Sequence, residues 1–135
     1  MTMTSKVVYE GDLRTRCTHL KSGNTFITDA PVDNNGKGEA FSPTDTVATA
    51  LASCMLTVMG IKARDMDCDM TGASAAITKT MAADPRRISK IEIQITFPNP
   101  VSDKEKKILE RVAETCPVHY SLHPDIEKDI SFVWK

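Results

Sequence analysis

Aromatic residues are scarce in this chain of 135 residues, at 5%, and they are scattered singly, so no row of rings is available for nucleobases to stack on. Excess charge is missing too. The formal net charge is −1, with 17 Lys and Arg against 18 Asp and Glu and no basic run, which removes the electrostatic footprint of a nucleic-acid binder. The phosphate loop, the dinucleotide fingerprint, the zinc-protease helix, the nucleophile elbow and any internal repeat are all absent. The opening MTMTSKVVYEGD lacks the long apolar core of a signal peptide. The uncharged stretch over 47–61 falls short of the ~20 residues a membrane span needs. The expectation is one soluble cytoplasmic domain over 1–135, with neither membrane nor nucleic acid as partner.

What is present begins with SPTDTVATALASCMLTVMGIKARDM, residues 42–66. Ser42 is a good N-cap, Pro43 suits the first helical position, and Asp45 stands where a capping-box acid belongs. A helix of this length, about 36 Å, is uncharged on every side over 47–61 and has to be surrounded by protein, which points to a homodimer. The helical repeat puts Val47, Ala50, Leu51, Val58 and Ile61 on the face of Cys54.

Around this helix the pattern predicts strands over 6–9, 14–20 and 25–28, joined by turns at Gly11-Asp12 and Ser22-Gly23-Asn24. Alternation puts Arg14, Arg16 and Thr18 on one strongly basic strand face. Residues 29–41 read as a loop that carries Glu39 to the mouth of the helix. Strands over 71–82 and 88–97 follow, the second alternating Ile91, Ile93, Ile95 and Phe97 with polar residues. Ser102 and Glu105 form a capping box for an amphipathic helix ending near Thr115. A fresh helical turn has Cys116 as N-cap and Pro117 at its first position, and a last strand runs over 126–134. The fold class is α+β.

Four cysteines, Cys17, Cys54, Cys68 and Cys116, in a reducing compartment point to chemistry before structure. Cys116, at a helix start, feels free N–H groups and the positive end of the helix dipole, and on that argument is the easier thiolate to make. Cys54 sits in apolar surroundings and reacts only if a cation such as Arg14 or Arg16 reaches it; taken alone it is a small hydrophobe. Cys68 lies between Asp67 and Asp69, which disfavour its thiolate, and reads as a bystander. Cys17, His19, Cys116 and His119 are four potential zinc ligands, but neither pair has a standard spacing, and His119 and His123 read as surface or capping residues. No metal and no cofactor is expected.

Ser42-Pro43 followed by Cys54 about twelve residues on, then Cys116-Pro117-Val118, resembles the OsmC/Ohr family of osmotically inducible and organic hydroperoxide resistance proteins across nearly the whole chain. The resemblance implies an OsmC-like fold, antiparallel sheets around a long central helix, and an intertwined homodimer with active sites at the subunit interface. It further implies a thiol peroxidase that reduces organic hydroperoxides with a dithiol as reductant, a lipoyl group being one such dithiol. Carried over, Cys54 is the peroxidatic thiol, Cys116 the resolving thiol and Arg14 the cation, with Arg16 as substitute. This chain departs from the pattern at Thr44, where typical hydroperoxide-resistance members have a glutamate. Either Glu39 or Asp45 replaces it, or the chain is a non-enzymatic, stress-associated module that holds a small apolar ligand in the dimer-interface cleft.

Overall fold

In the computed structural model, which describes residues 2–135, positive φ angles at Asp12 (54°) and Leu13 (62°) turn the chain between β1 (Ser5–Gly11) and β2 (Arg14–His19). The turn thus falls one residue later than Gly11-Asp12, with a register shift between Tyr9 and Gly11. A second turn, with Gly23 at φ 77°, leads to β3 (Thr25–Asp29), and β1, β2 and β3 form one antiparallel sheet in that order. The hairpin register sets Arg14 opposite Asp29 at the end of the β2–β3 ladder.

The loop after β3 is folded back on the strand end it leaves. Gly36 N–H donates to Pro31 O at 2.9 Å, Gly38 N–H to Ala30 O at 3.2 Å, and Asp29 N–H to Phe41 O at 3.0 Å. A side chain at Gly36 is excluded, since its Cβ would stand 1.8 Å from Ala30 O. Residues 1–47 and 48–135 form two compact units, described in turn.

The long helix α1 (Pro43–Asp65) matches the expected span. Ser42 Oγ accepts from Asp45 N–H while Asp45 Oδ2 accepts from Ser42 N–H, both at 3.0 Å, which makes the reciprocal capping box. In the second unit, Leu51, Met55 and Met59 of α1 are fully buried, whereas Ala50, Ser53, Thr57 and Ile61 form an exposed row without a charge. Leu51 is therefore covered where Ala50 and Ile61 are not, and the face expected around Cys54 divides in two.

The hairpin β4 (Ser74–Ala82) and β5 (Arg87–Thr96) is antiparallel, with Ile91, Ile93 and Ile95 turned into the core and polar residues between them, as the alternation predicts. The expectation of wholly antiparallel sheets is overturned at β6 (Glu127–Val133), which pairs parallel to β5. The reason is the connection. Helix α2 (Asp103–Ala113) and the short α3 (Pro117–Ser121) return the chain to the end from which β5 began, and a crossover of that kind yields a parallel neighbour. Helix α2 starts at its predicted Ser102–Glu105 box and buries Leu109 and Ala113.

Candidate active site

In the first unit the sequence-predicted Arg14 and Glu39 meet. Arg14 Nε donates to Asp29 Oδ1 at 2.6 Å, and Arg14 Nη2 to Asp29 Oδ2 at 2.8 Å and Glu39 Oε1 at 3.1 Å. The three bonds use Nε and Nη2 alone, and Nη1 bonds none of the described residues. Asp29 is 1% exposed and also accepts from Glu39 N–H at 3.1 Å, whereas the Glu39 side chain is 65% exposed. The bonds from Arg14 hold the Asp29 carboxyl below its usual range against the opposing effect of burial, and Asp29 in turn pushes the Arg14 pKa upward.

The strand face read as strongly basic is therefore compensated by acids. Arg16 pairs separately with Glu10 at 2.9 Å, and Asp45 is engaged in the α1 cap. Thr44, the departure residue, lies with its hydroxyl 3.2 Å from Ser42 Oγ. Asp29 was missed in the sequence because it looked like the first residue of a polar loop. Counting pairs outward from the Ser22-Gly23 turn would have set Pro31 across from Arg14; only the observed register, with Thr18 opposite Thr25, puts Asp29 there.

In the second unit, Cys54 and Cys116 come together. Cys54 is half-buried on α1 and packs against the core cluster to which the fully buried Cys116 belongs. Cys116 is the N-cap of α3, as predicted, and its Sγ accepts from His119 N–H at 3.2 Å. Its expected low pKa is overturned. Burial pushes the thiol up, the nearby Cys54 thiol adds to the rise, and the N–H groups of His119 and Val118 offset only part of it. A five-residue helix has little dipole to set against a dry core.

The Cys68 thiol is raised as expected, though burial comes first, then Glu105 and Asp69, with Asp67 playing no part. Cys17 lies in β2 with its Sγ 3.9 Å from Thr15 Oγ1, His19 Nδ1 is 2.6 Å from Ser22 Oγ, and His123 Nδ1 lies 3.8 Å from Asp125. Among the described residues no group of three or more His, Cys, Asp or Glu is placed to hold a metal ion.

The family profile described as OsmC-like protein matches residues 36–131, which takes in α1 with Cys54 and the Cys116 turn. The chain belongs to the OsmC-like family. A solved protein from Psychrobacter arcticus 273-4, described as an osmotic stress induced and detoxification response protein, is 60% identical, with 98% of this chain and 96% of that one covered and a TM-score of 0.95. The OsmC-like fold is also shared with an organic hydroperoxide resistance protein OsmC from Legionella pneumophila, at 15% identity, 98% coverage of both chains and a TM-score of 0.76. A Vibrio cholerae organic hydroperoxide resistance protein with captopril bound in one active site has 15% identity, 98% of this chain and 92% of that one covered, and a TM-score of 0.74. No curated protein matches the chain.

Proposed function

We propose that this OsmC-like protein is a cytoplasmic thiol peroxidase acting on organic hydroperoxides. The observation that carries the reading is the pairing of a half-open Cys54 with a buried Cys116 in one unit. The Cys54 thiolate attacks the terminal peroxide oxygen, the O–O bond breaks, and the alkoxide leaves as alcohol on taking a proton; Cys54 becomes the sulfenic acid. Cys116 then attacks the Cys54 sulfur, the hydroxyl leaves as water with the Cys116 proton, and a disulfide forms. Because the thiolate is the attacking form, Cys116 gives up its proton in the step itself, to the departing hydroxyl. A dithiol reductant of lipoyl type returns both cysteines to thiols with two electrons and two protons. Arg14 is the cation assigned to the first step, where it stabilises the thiolate and the leaving oxygen, and Glu39 and Asp29 are its anionic partners.

The reading includes a homodimer, because the uncharged row Ala50, Ser53, Thr57 and Ile61 on α1 is left uncovered within the chain. A second reading is favoured by one observation. An open surface groove of about 420 Å³ along Thr49, Ala52, Ser53, Leu56, Thr57, Ala75 and Ile77 offers a small apolar ligand a place to lie, and Thr44 stands where hydroperoxide-resistance members carry glutamate. On that reading the protein binds without turnover. Peroxide consumption with dihydrolipoamide as reductant separates the two: turnover with the reductant, and loss of both thiols to peroxide when it is withheld, are expected, and no turnover with any organic or inorganic peroxide selects the binding module.

A further inference from the structure

The geometry points to Asp29 as the positioning residue for Arg14, a deepening that rests on the peroxidase reading. Arg14 has two carboxylate partners of unequal kind. Asp29 is 1% exposed, belongs to a strand paired residue for residue with that of Arg14, and takes both Nε and Nη2 in the parallel two-bond arrangement that fixes a guanidinium plane. Glu39 is 65% exposed, stands on a loop, and takes only Nη2 at 3.1 Å.

The Glu39 contact is thus open to exchange with water or an incoming group, while Asp29 is an anchor. Even the loop depends on it, because Asp29 Oδ2 receives Glu39 N–H. With Nε and Nη2 clamped by Asp29, Nη1 is presented with its donors unused among the described residues. Asp29 touches no reacting atom in this scheme; it acts through Arg14.

The test uses Asp29→Asn in the full-length protein, alone and combined with Arg14→Ala, with circular dichroism to verify folding. In stopped-flow oxidation of Cys54 by cumene hydroperoxide, Arg14→Ala is expected to slow the reaction about 100-fold, Asp29→Asn about tenfold, and Asp29→Asn in the Arg14→Ala background less than about twofold further. An equal Asp29→Asn loss in both backgrounds, or no loss at all, overturns the assignment. A second arm needs no activity. Phenylglyoxal modification of Arg14, followed by mass spectrometry, should run several-fold faster in Asp29→Asn, with Arg16 unchanged as internal control. An Arg14 rate equal to wild type overturns the clamp. Absence of peroxide reduction by the wild type refutes the peroxidase reading instead, and the phenylglyoxal arm still decides Asp29. If Asp29→Asn is recovered unfolded, Asp29→Ser, which is smaller than the space it leaves, is read in both arms.

Discussion

Gly36→Ala and Gly60→Ala make the same chemical change and should act in opposite directions. At Gly36 the new Cβ would stand 1.8 Å from Ala30 O, 2.2 Å from Ala30 C and 2.6 Å from Ala30 Cβ, all on one neighbouring residue whose carbonyl is already tied to Gly38 N–H. A carbon and an oxygen need roughly 3.2 Å or more, so the loop must move by over about 1 Å, too far to keep bonds of 2.9 and 3.2 Å. Losing the Gly36–Pro31 and Gly38–Ala30 bonds, at about 0.5–1.5 kcal/mol each, gives a destabilisation of about 1–3 kcal/mol. At Gly60, inside α1, the Cβ would meet only Met70 Sδ at 3.8 Å, an ordinary contact, and the better helix propensity of alanine should stabilise by about 0.5–1 kcal/mol. Urea unfolding followed by circular dichroism reads both, with a lower midpoint for Gly36→Ala and a higher one for Gly60→Ala. A Gly36→Ala midpoint equal to wild type would refute the claim that the loop is locked by close backbone approach. The change should reach the site as well, since the displaced loop carries Glu39.

Cys116→Ser should still react once with stoichiometric cumene hydroperoxide and accumulate a sulfenic acid trappable at Cys54, while Cys54→Ser should leave the peroxide untouched; oxidation found first on Cys116, with Cys54 inert, would falsify the order of the thiols. Burial raises the folded pKa of Cys116 and Cys68 above that of the unfolded chain, so the unfolded state loses its protons first as pH climbs. Their contribution to stability is therefore fully present below the ordinary thiol range and is lost as pH rises through the raised folded values. Unfolding midpoints between neutral and alkaline pH should fall over that window, and fall less in Cys116→Ser; an equal fall in the variant would remove Cys116 from the account. The uncharged exposed row of α1 predicts a dimer that does not persist as a folded monomer, and sedimentation at micromolar concentration showing a stable, folded monomer would rule that out.

The features that the sequence alone determined are those whose cause lies within a few neighbouring residues. The Ser42–Asp45 and Ser102–Glu105 boxes, the Cys116-Pro117 helix start, the Ile91–Ile93–Ile95 alternation and the Gly23 turn are written in contiguous positions, because caps, pleats and turns are local physics. Cys54 and Cys116 were singled out by motif. Tertiary structure alone decided what depends on partners distant in the chain. The direction of β6 follows from where α2 and α3 deliver it, the raised Cys116 pKa from how completely the core closes over a thiol that its own helix end would have favoured as an anion, and the standing of Arg14 from strand register. Asp29 shows the difference most plainly. In the sequence it is the first polar residue of a loop, and only its burial opposite Arg14, where an unpaired carboxylate would be costly, makes it the two-bond partner of that guanidinium.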